Sequence, residues 1–329
     1  MQGGVVKLVK SLVVFAAAFV AAWPAWAAPM DWPTKTVTVI APFPAGGTVD
    51  IVARAIGQKL GTELHQTFIV DNRGGAGGSL GTGIMTKAAP DGYTIMVNHM
   101  GLAFNASLYP TLPYDTLRDV LPVAYVGATP NVLVVPVNFP AKNAEEFLAM
   151  ARAKPGTINF GSGGVGSAGH LPIELLQSAT GVQLVHVPYK GNGPALVDLI
   201  SGQIQVMLAT IPAVMPHIKS GQLRALATSG SRRSVALPDV PTLDEVGVKG
   251  FDYQPWYGVF APGATPPAIA DNLHDAVNVA LRDPVIARKL ESEGLDVRPM
   301  TRQQFTEIVQ GDVKKWAGII RTLGIKGGQ

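Results

Sequence analysis

The chain has 329 residues, of which 26 are basic, 23 are acidic and none is cysteine. This length is enough for about two domains of ordinary size. The absence of cysteine excludes disulfide frameworks, thiolate nucleophiles and cysteine-ligated metal centres. With 47% hydrophobic and 15% charged residues, the composition is typical of a folded protein and excludes wholesale disorder.

The first 28 residues predict a cleaved signal peptide. Lys7 and Lys10 precede an apolar run at 12–22, and Ala-Trp-Ala at 25–27 provides the small-x-small pattern that signal peptidase recognises. The run is shorter than the ~20 residues that span a bilayer, although an uncleaved anchor is the alternative. Removing residues 1–28 leaves 24 basic and 23 acidic residues. This balance argues against a nucleic-acid partner, and we expect an exported, periplasmic protein.

Beyond this segment, strand-like runs alternate with helical patterns. Several strand candidates are continuous apolar runs, which are typical of strands buried on both faces of a parallel sheet. Helical spacing is clearest where Val52, Ile56 and Leu60 recur. The alternation predicts an α/β fold with doubly wound sheets. Strands are predicted at Val37–Ala41, Phe68–Asp71, Tyr93–Asn98, Asn131–Val137, Thr157–Gly161, Leu184–Pro188, Ile204–Leu208 and Leu223–Thr228.

A strand, a glycine-rich loop and a helix follow one another twice, at 37–60 and at 157–177. This repeated architecture predicts two similar lobes, the second inserted in the first. Crossover segments are expected around 127–131 and 249–256, which gives 29–128 plus 252–329 for lobe I and 129–251 for lobe II. Two crossovers form a hinge, and the cleft between hinged lobes is the expected ligand site.

The first glycine loop spans Phe43–Thr48 and leads into a helix. Glycines allow its N–H groups to turn toward one point, and Thr48 can cap the helix. Unpaired N–H groups and the positive end of the helix dipole suit a carboxylate. A plain strand–helix connection is the alternative. Asp50 would repel an anion, so we expect it to have a structural role.

The second glycine loop spans Gly161–His170 and offers Ser162 and Ser167 as neutral donors. Its glycines fit G-x-G-x-x-G, but no acidic residue follows about twenty positions later to bind a ribose. No Gly-Lys-Ser/Thr sequence follows either loop, which excludes a P-loop. His170 is expected either to orient this loop or to cap the next helix.

Further candidates lie at strand ends. Asn98 and His99 follow a strand at its carboxyl end, where open α/β sheets bind ligands. Tyr189 is a candidate for the cleft wall. Tyr257 is expected either to cover a ligand or to pack in the core. Arg73 could bind a carboxylate, but pairing with a neighbouring aspartate is favoured.

Catalytic and metal motifs are missing from the sequence. Neither serine of the second loop lies in G-x-S-x-G, and the six histidines lack the spacings of a metal site. We therefore predict no catalytic residues, no metal and no cofactor. A secreted hydrolase is retained only as a weak alternative.

Seven motifs together resemble the Bug or TctC family, the exported solute receptors of tripartite tricarboxylate transporters. They occur in the family's order over nearly all of the chain after residue 28. The motifs are Ala-Pro-Phe-Pro-Ala-Gly-Gly at 41–47, Asp-Asn-Arg-Gly-Gly at 71–75, Ala-Pro-Asp-Gly-Tyr at 89–93, Leu-Pro-Tyr-Asp at 112–115, Val-Pro-Tyr-Lys-Gly at 187–191, Pro-His-Ile-Lys-Ser-Gly at 216–221 and Leu-Pro-Asp-Val-Pro-Thr at 237–242.

The resemblance implies a type II periplasmic-binding-protein fold that closes on an organic carboxylate, and a receptor that delivers this ligand to a membrane permease. A receptor that reports to a membrane sensor is the alternative, and we expect a monomer. The residues implied as ligand contacts are Phe43, Ala45, Gly46 and Gly47 in lobe I and Gly163, Val165, Ser167 and Ala168 in lobe II.

One position departs from the pattern of the family. Relatives often carry an acidic or amide residue after the strand predicted at Ile204–Leu208, whereas this chain has Thr210 in the sequence Ala-Thr-Ile-Pro. The resemblance thus implies a ligand without an amine, namely an aliphatic or aromatic di- or tricarboxylate, with Thr210 as a neutral donor.

Overall fold

The computed structural model describes residues 32–109, 111–292 and 294–325. The predicted signal peptide lies outside the described residues. All elements named below belong to one compact unit, Pro33–Gln329. Among the described helices, none has the length and apolar character needed to cross a membrane.

The strands and helices alternate along most of the chain. The described strands are β1 (Val37–Ala41), β2 (Phe68–Asn72), β3 (Thr94–His99), β4 (Val120–Ala128), β5 (Asn131–Pro136), β6 (Asn159–Ser162), β7 (Val185–Pro188), β8 (Met207–Thr210), β9 (Leu223–Thr228), β10 (Trp256–Pro262) and β11 (Asp296–Val297). The described helices are α1 (Thr48–Glu63), α2 (Ser79–Thr86), α3 (Gly101–Leu108), α4 (Ala144–Ala153), α5 (Leu171–Thr180), α6 (Asn192–Ile200), α7 (Ile211–Lys219), α8 (Pro267–Arg282), α9 (Pro284–Ser292) and α10 (Arg302–Leu323), and a short 3-10 turn covers Ala76–Gly78.

The strands form two groups, which correspond to two lobes. The first lobe contains a six-stranded sheet in the order β11-β4-β10-β3-β1-β2. Here β1 pairs in parallel with β2 and β3, whereas β10 pairs antiparallel with β3 and β4. In the second lobe, β5 lies antiparallel between β8 and β9, and β6 is parallel to β7. The predicted α/β architecture and both strand–loop–helix units, β1–α1 and β6–α5, are therefore present.

Three strands of the first sheet, β4, β10 and β11, were not predicted. Strand β11 has only two residues, and β4 and β10 contain residues that usually break strands. Pro122 lies in β4, and Gly258 lies in β10, which ends at Pro262. Irregular register between these two strands accommodates them. Gly258 is required by packing, since a Cβ there would collide with the ring of Phe305 from α10. The strand predicted at Ile204–Leu208 instead spans Met207–Thr210, which places Thr210 at its end.

An aromatic cluster joins the C-terminal helix α10 to the first sheet. The Phe305 ring packs edge-on against Trp256 and Tyr125, with centroids 5.3 and 5.6 Å apart. Trp256 also donates from Nε1 to Asp312 at 2.6 Å. Burying a large aromatic side chain contributes roughly 2–3 kcal/mol, so this cluster holds β10 and β4 firmly against α10. The antiparallel pairing of β10 with β3 places the next residue, Tyr257, opposite His99.

Candidate functional site

Three helices begin around one small cavity, which we call the first cavity. It has a volume of about 30 Å³. Helix α1 starts there at Thr48, α6 starts at Asn192 and α7 is capped by Thr210. The loop before α5 contributes Ser167 and Ala168. The residues that line it are Phe43, Pro44, Gly47, Thr48, Val49, His99, Ser167, Ala168, Asn192, Gly193, Thr210 and Tyr257. Because a helix N-terminus carries about half a positive charge, both lobes direct positive potential into this cavity.

Three hydroxyl groups meet at the wall of the first cavity. Thr48 Oγ1 of the first lobe and Thr210 Oγ1 of the second are 2.6 Å apart and hydrogen-bonded. The Tyr257 hydroxyl interacts with both. Burial raises the pKa of Tyr257, and its hydrogen bonds to the two threonines only partly offset this effect. The hydroxyl therefore stays protonated and neutral near pH 7.

His99 supplies a neutral N–H group to the same cavity. Its Nδ1 accepts a hydrogen bond from the Gly101 N–H at 2.8 Å, so in the neutral ring the proton resides on Nε2. Burial lowers the pKa of His99 to about 3, which keeps the ring uncharged at neutral pH. The ring stacks on Phe43, with centroids 4.8 Å apart, and this contact fixes its orientation.

Two buried polar atoms of the lining have unused hydrogen-bonding capacity. Ser167 Oγ and Asn192 Oδ1 have no hydrogen-bond partner among the described residues. Leaving a buried polar group unpaired costs about 1–3 kcal/mol. Ser167 is only 2% exposed, so a ligand that accepts from its hydroxyl removes this cost.

The acidic residue nearest the first loop is neutralised by its neighbours. Asp50 forms a two-point ion pair with Arg54 at 2.9 and 3.0 Å and accepts from the Gly46 N–H at 3.0 Å. Burial alone would raise the pKa of Asp50, but these hydrogen bonds and one from Asn72 lower it. The expected structural role of Asp50 agrees with these contacts. Among the described residues that line the first cavity, none is Asp, Glu, Lys or Arg.

A larger cavity of about 300 Å³, here called the second cavity, adjoins the first and shares Phe43 and Pro44 with it. It lies between the lobes, because the hydroxyl of Tyr109 in the first lobe donates to the Val165 carbonyl in the second at 3.1 Å. The residues that line it are Phe43, Pro44, Gly75, Ala76, Gly77, Gly78, Tyr109, Gly163, Gly164, Val165, Pro188, Tyr189 and Lys190.

The structure brings most of the predicted site residues to these cavities. Those that line the first are Phe43, Gly47, Thr48, His99, Ser167, Ala168 and Thr210. Those that line the second are Phe43, Gly163, Val165 and Tyr189. The predicted residues that line neither cavity are Ala45, Gly46, Asn98, Ser162 and His170.

Each of the outlying residues has a structural reason for its position. Ala45 and Gly46 are exposed, and the Gly46 N–H is already bonded to Asp50. Asn98 precedes His99 on the strand, so its side chain points to the opposite face, where its amide donates to Thr82 Oγ1 at 3.2 Å. Neither Gly46 nor Asn98 thus presents a donor to the first cavity.

Ser162 and His170 shape the second loop from within. Ser162 Oγ lies 2.7 Å from His186 Nε2 and accepts from the Gly164 N–H at 3.1 Å. The rings of His170 and His186 stack with centroids 4.2 Å apart. Burial, with a smaller contribution from His186, lowers the pKa of His170 to about 3. Of the two expected roles for His170, these contacts favour orienting the loop.

Four residues of the first cavity were missing from the predicted set: Pro44, Val49, Asn192 and Gly193. Tyr257, which was expected either to cover a ligand or to pack in the core, also lines this cavity. Tyr257 reaches the site because β10 pairs with β3 and sets it opposite His99. Asn192 follows the Val-Pro-Tyr-Lys-Gly motif and begins α6, which is a position that the motif alone could have indicated. Arg73 lines neither cavity; its Nε donates to Asp71 at 2.9 Å, as the favoured prediction had it.

A buried hydrogen-bond hub connects both crossover segments to the second loop. The Ala168 carbonyl accepts from Asn131 Nδ2 at 2.7 Å and from the Tyr253 hydroxyl at 3.1 Å. Ser229 Oγ accepts from the Asn131 N–H at 2.7 Å and donates to the Tyr253 carbonyl at 2.5 Å. Ala168 lines the first cavity, so these hydrogen bonds fix the position of one cavity wall relative to both crossover segments.

Tyr253→Phe is expected to weaken ligand binding by about five- to tenfold. The substitution leaves the Ala168 carbonyl with one donor instead of two, which costs about 1 kcal/mol and loosens the loop. Calorimetric titration with a bound acid would measure this change. Tyr114→Phe is the matched control, because Tyr114 is also a buried tyrosine but lines neither cavity. Equal affinities of the two variants would contradict a positioning role for Tyr253.

Comparisons with known proteins assign the class and then the family. A two-lobed α/β chain with a polar cavity between its lobes has the architecture of a solute-binding protein. Residues 52–325 match the family described as "Tripartite tricarboxylate transporter family receptor". The chain is also 38% identical to Protein BugT of Bordetella pertussis over 297 residues, which cover 90% of this chain and 91% of BugT. The chain belongs to the tripartite tricarboxylate transporter receptor family, the Bug/TctC family.

Solved structures of relatives confirm the periplasmic-binding-protein fold. The structure of the periplasmic binding protein BugD superposes with a TM-score of 0.86 at 33% identity and covers 90% of this chain and 99% of BugD. R. palustris Rpa4515 with adipate gives a TM-score of 0.87 at 33% identity, with the same shares covered. Because the family is one of transporter receptors and BugD is a periplasmic binding protein, the prediction that the chain is not an enzyme is confirmed.

Proposed function

We propose that this protein is an exported receptor that captures an organic carboxylate in the first cavity and delivers it to the permease of a tripartite transporter. The observation that carries the proposal is the set of neutral donors around that cavity. His99 Nε2–H, the Ser167 hydroxyl and the Thr48–Thr210 pair come from both lobes, and no acidic side chain accompanies them among the described lining residues.

The electrostatics of the cavity favour an anion over a neutral or cationic solute. Helix N-termini at Thr48, Asn192 and Thr210 supply partial positive charge. Hydrogen bonds from neutral donors to a carboxylate are charge-assisted and roughly twice as strong as those between neutral groups. Since both lobes contribute donors, binding favours the closed arrangement of the lobes.

The absence of a cation from the described lining has a functional consequence. A buried arginine would hold a carboxylate through two charge-assisted hydrogen bonds to one cation. Separate hydroxyl and N–H groups hold it through weaker hydrogen bonds, which can form and break one at a time. Release to a permease is therefore compatible with capture. The relative Rpa4515, solved with adipate, supports an organic acid as the class of ligand.

We further propose the following organisation for the mature protein. It begins after residue 28, resides in the periplasm and acts as a monomer. Lobe I comprises 29–128 and 252–329, and lobe II comprises 129–251. The strands of the six-stranded sheet, within 37–128 and 256–297, and those of the second lobe, within 131–228, support these boundaries.

A thermal-unfolding screen tests the proposed function. The screen contains aliphatic dicarboxylates, citrate, aromatic acids and amino acids. A bound acid at about 100 times its Kd should add roughly 2.7 kcal/mol to the free energy of unfolding, and this gain should appear as a rise in Tm. Amino acids should give no rise, because no carboxylate of the described lining faces their ammonium group. The proposal fails when no organic acid raises Tm.

A further inference from the structure

The second cavity has a different chemical character from the first. Aromatic rings and prolines form its side walls: Phe43, Tyr109, Tyr189, Pro44 and Pro188. Much of the remaining wall is glycine backbone, at Gly75, Gly77, Gly78, Gly163 and Gly164. These glycines allow the wall to pack closely, since a Cβ at Gly77 would collide with the Val165 carbonyl and one at Gly78 would press against the Phe43 ring.

The tyrosine hydroxyls of the second cavity are engaged with protein groups. The Tyr109 hydroxyl donates to the Val165 carbonyl at 3.1 Å, and the Tyr189 hydroxyl donates to Asp198 Oδ2 at 2.6 Å. What these residues offer a ligand is therefore their ring surface. The Phe43 ring is held in place by stacking on His99, and it lines both cavities, so it is a common wall along which the two cavities adjoin.

The lining of the second cavity carries little charge. Lys190 is the one charged residue among its described lining residues, and its side chain is exposed to solvent. A carboxylate moved into apolar surroundings without a paired cation is strongly disfavoured. Away from Lys190, the lining of the second cavity therefore favours an uncharged and apolar part of the ligand.

We propose that the second cavity holds an aromatic ring, so that the ligand is an aromatic carboxylate with its carboxylate group in the first cavity. This inference rests on the proposed function and narrows its class of ligand. Size agrees, since an apolar cavity of ~150 Å³ holds benzene and the second cavity measures about 300 Å³. Offset or edge-on contacts between rings give a flat aromatic body an advantage over a flexible aliphatic chain.

Calorimetric titration with benzoate and with adipate tests the inference on the wild-type protein. The two probes are similar in carbon number, but one is a flat ring with one carboxylate and the other is a flexible chain with two. Benzoate should bind at least tenfold more tightly than adipate. Tighter binding of adipate, or of any other aliphatic acid, would overturn the inference and leave the proposed carboxylate receptor standing. If no acid binds, both fail.

A matched pair of variants tests where the ring lies. Tyr109→Phe keeps the ring and loses the hydrogen bond to Val165, whereas Tyr109→Leu loses both. Tyr109→Leu should weaken benzoate binding about tenfold relative to Tyr109→Phe, and adipate binding should differ less than threefold between the two. Equal benzoate affinities of the two variants would overturn the assignment of the ring to the second cavity. Loss of folding in Tyr109→Leu would be detected by its unfolding curve, in which case Phe43→Leu replaces it.

Discussion

Thr210→Asp is expected to abolish binding of organic acids by this receptor. Thr210 is 1% exposed, lines the first cavity and hydrogen-bonds Thr48 across the lobes. A carboxylate here would face the carboxylate of the ligand. At ~4 Å and an effective dielectric constant of about 20, two like charges repel by roughly 4 kcal/mol. Calorimetric titration should therefore show an affinity about a thousandfold lower.

The matched control for this variant is Thr210→Asn, which has nearly the same shape as aspartate but no charge. Its affinity should fall no more than about tenfold, because one hydrogen-bonding group is exchanged for another. Both variants should show a cooperative unfolding transition, which establishes that they fold. If Thr210→Asp binds within tenfold of Thr210→Asn, the ligand carboxylate does not lie in the first cavity.

Acidification from pH 7.5 to pH 5 is expected to remove roughly 4 kcal/mol of folding stability. Burial lowers the pKa of both His99 and His170 to about 3, against about 6.5 in an unfolded chain. The unfolded state therefore binds more protons, so stability is complete above pH 6.5 and is lost as the pH falls toward 3. At pH 5, 1.5 units below the unfolded value, each histidine contributes a loss of about 2 kcal/mol.

Two nearby groups modify this loss in opposite directions. Burial also lowers the pKa of the partly buried His186, to about 4, which adds to the loss. Burial raises the pKa of Glu174, so that residue stabilises the folded state as the pH falls. Urea unfolding at the two pH values measures the sum. His99→Asn should reduce the loss by about 2 kcal/mol, which is the contribution of that histidine. A stability that is constant between pH 7.5 and pH 5 would contradict the burial of neutral histidines.

Glycine-rich loops that connect strands to helices could be interpreted from sequence because their chemistry is local. Phe43, Thr48, Ser167 and Ala168 were all predicted as site residues, and all line the first cavity. A loop that enters a helix must expose its last residues beside the helix N-terminus. This geometry depends on a few adjacent residues, which explains why these site residues could be predicted from the sequence.

Other parts of the site depend on contacts between distant segments. Tyr257 reaches the first cavity only through the pairing of β10 with β3, and its strand contains Gly258, which the sequence pattern counts against a strand. Gly46 was predicted to contact the ligand, yet its N–H is taken by Asp50. Whether a backbone donor is already paired follows from three-dimensional geometry and not from the spacing of residues.

The crystal structure of the protein with its tightest-binding acid tests the central claim most directly. We expect one carboxylate in the first cavity, with its oxygens about 2.7–3.2 Å from His99 Nε2 and Ser167 Oγ and contacts from both lobes. A carboxylate held instead by Arg73 or Lys190, or bound at any position outside the first cavity, would contradict capture by neutral donors.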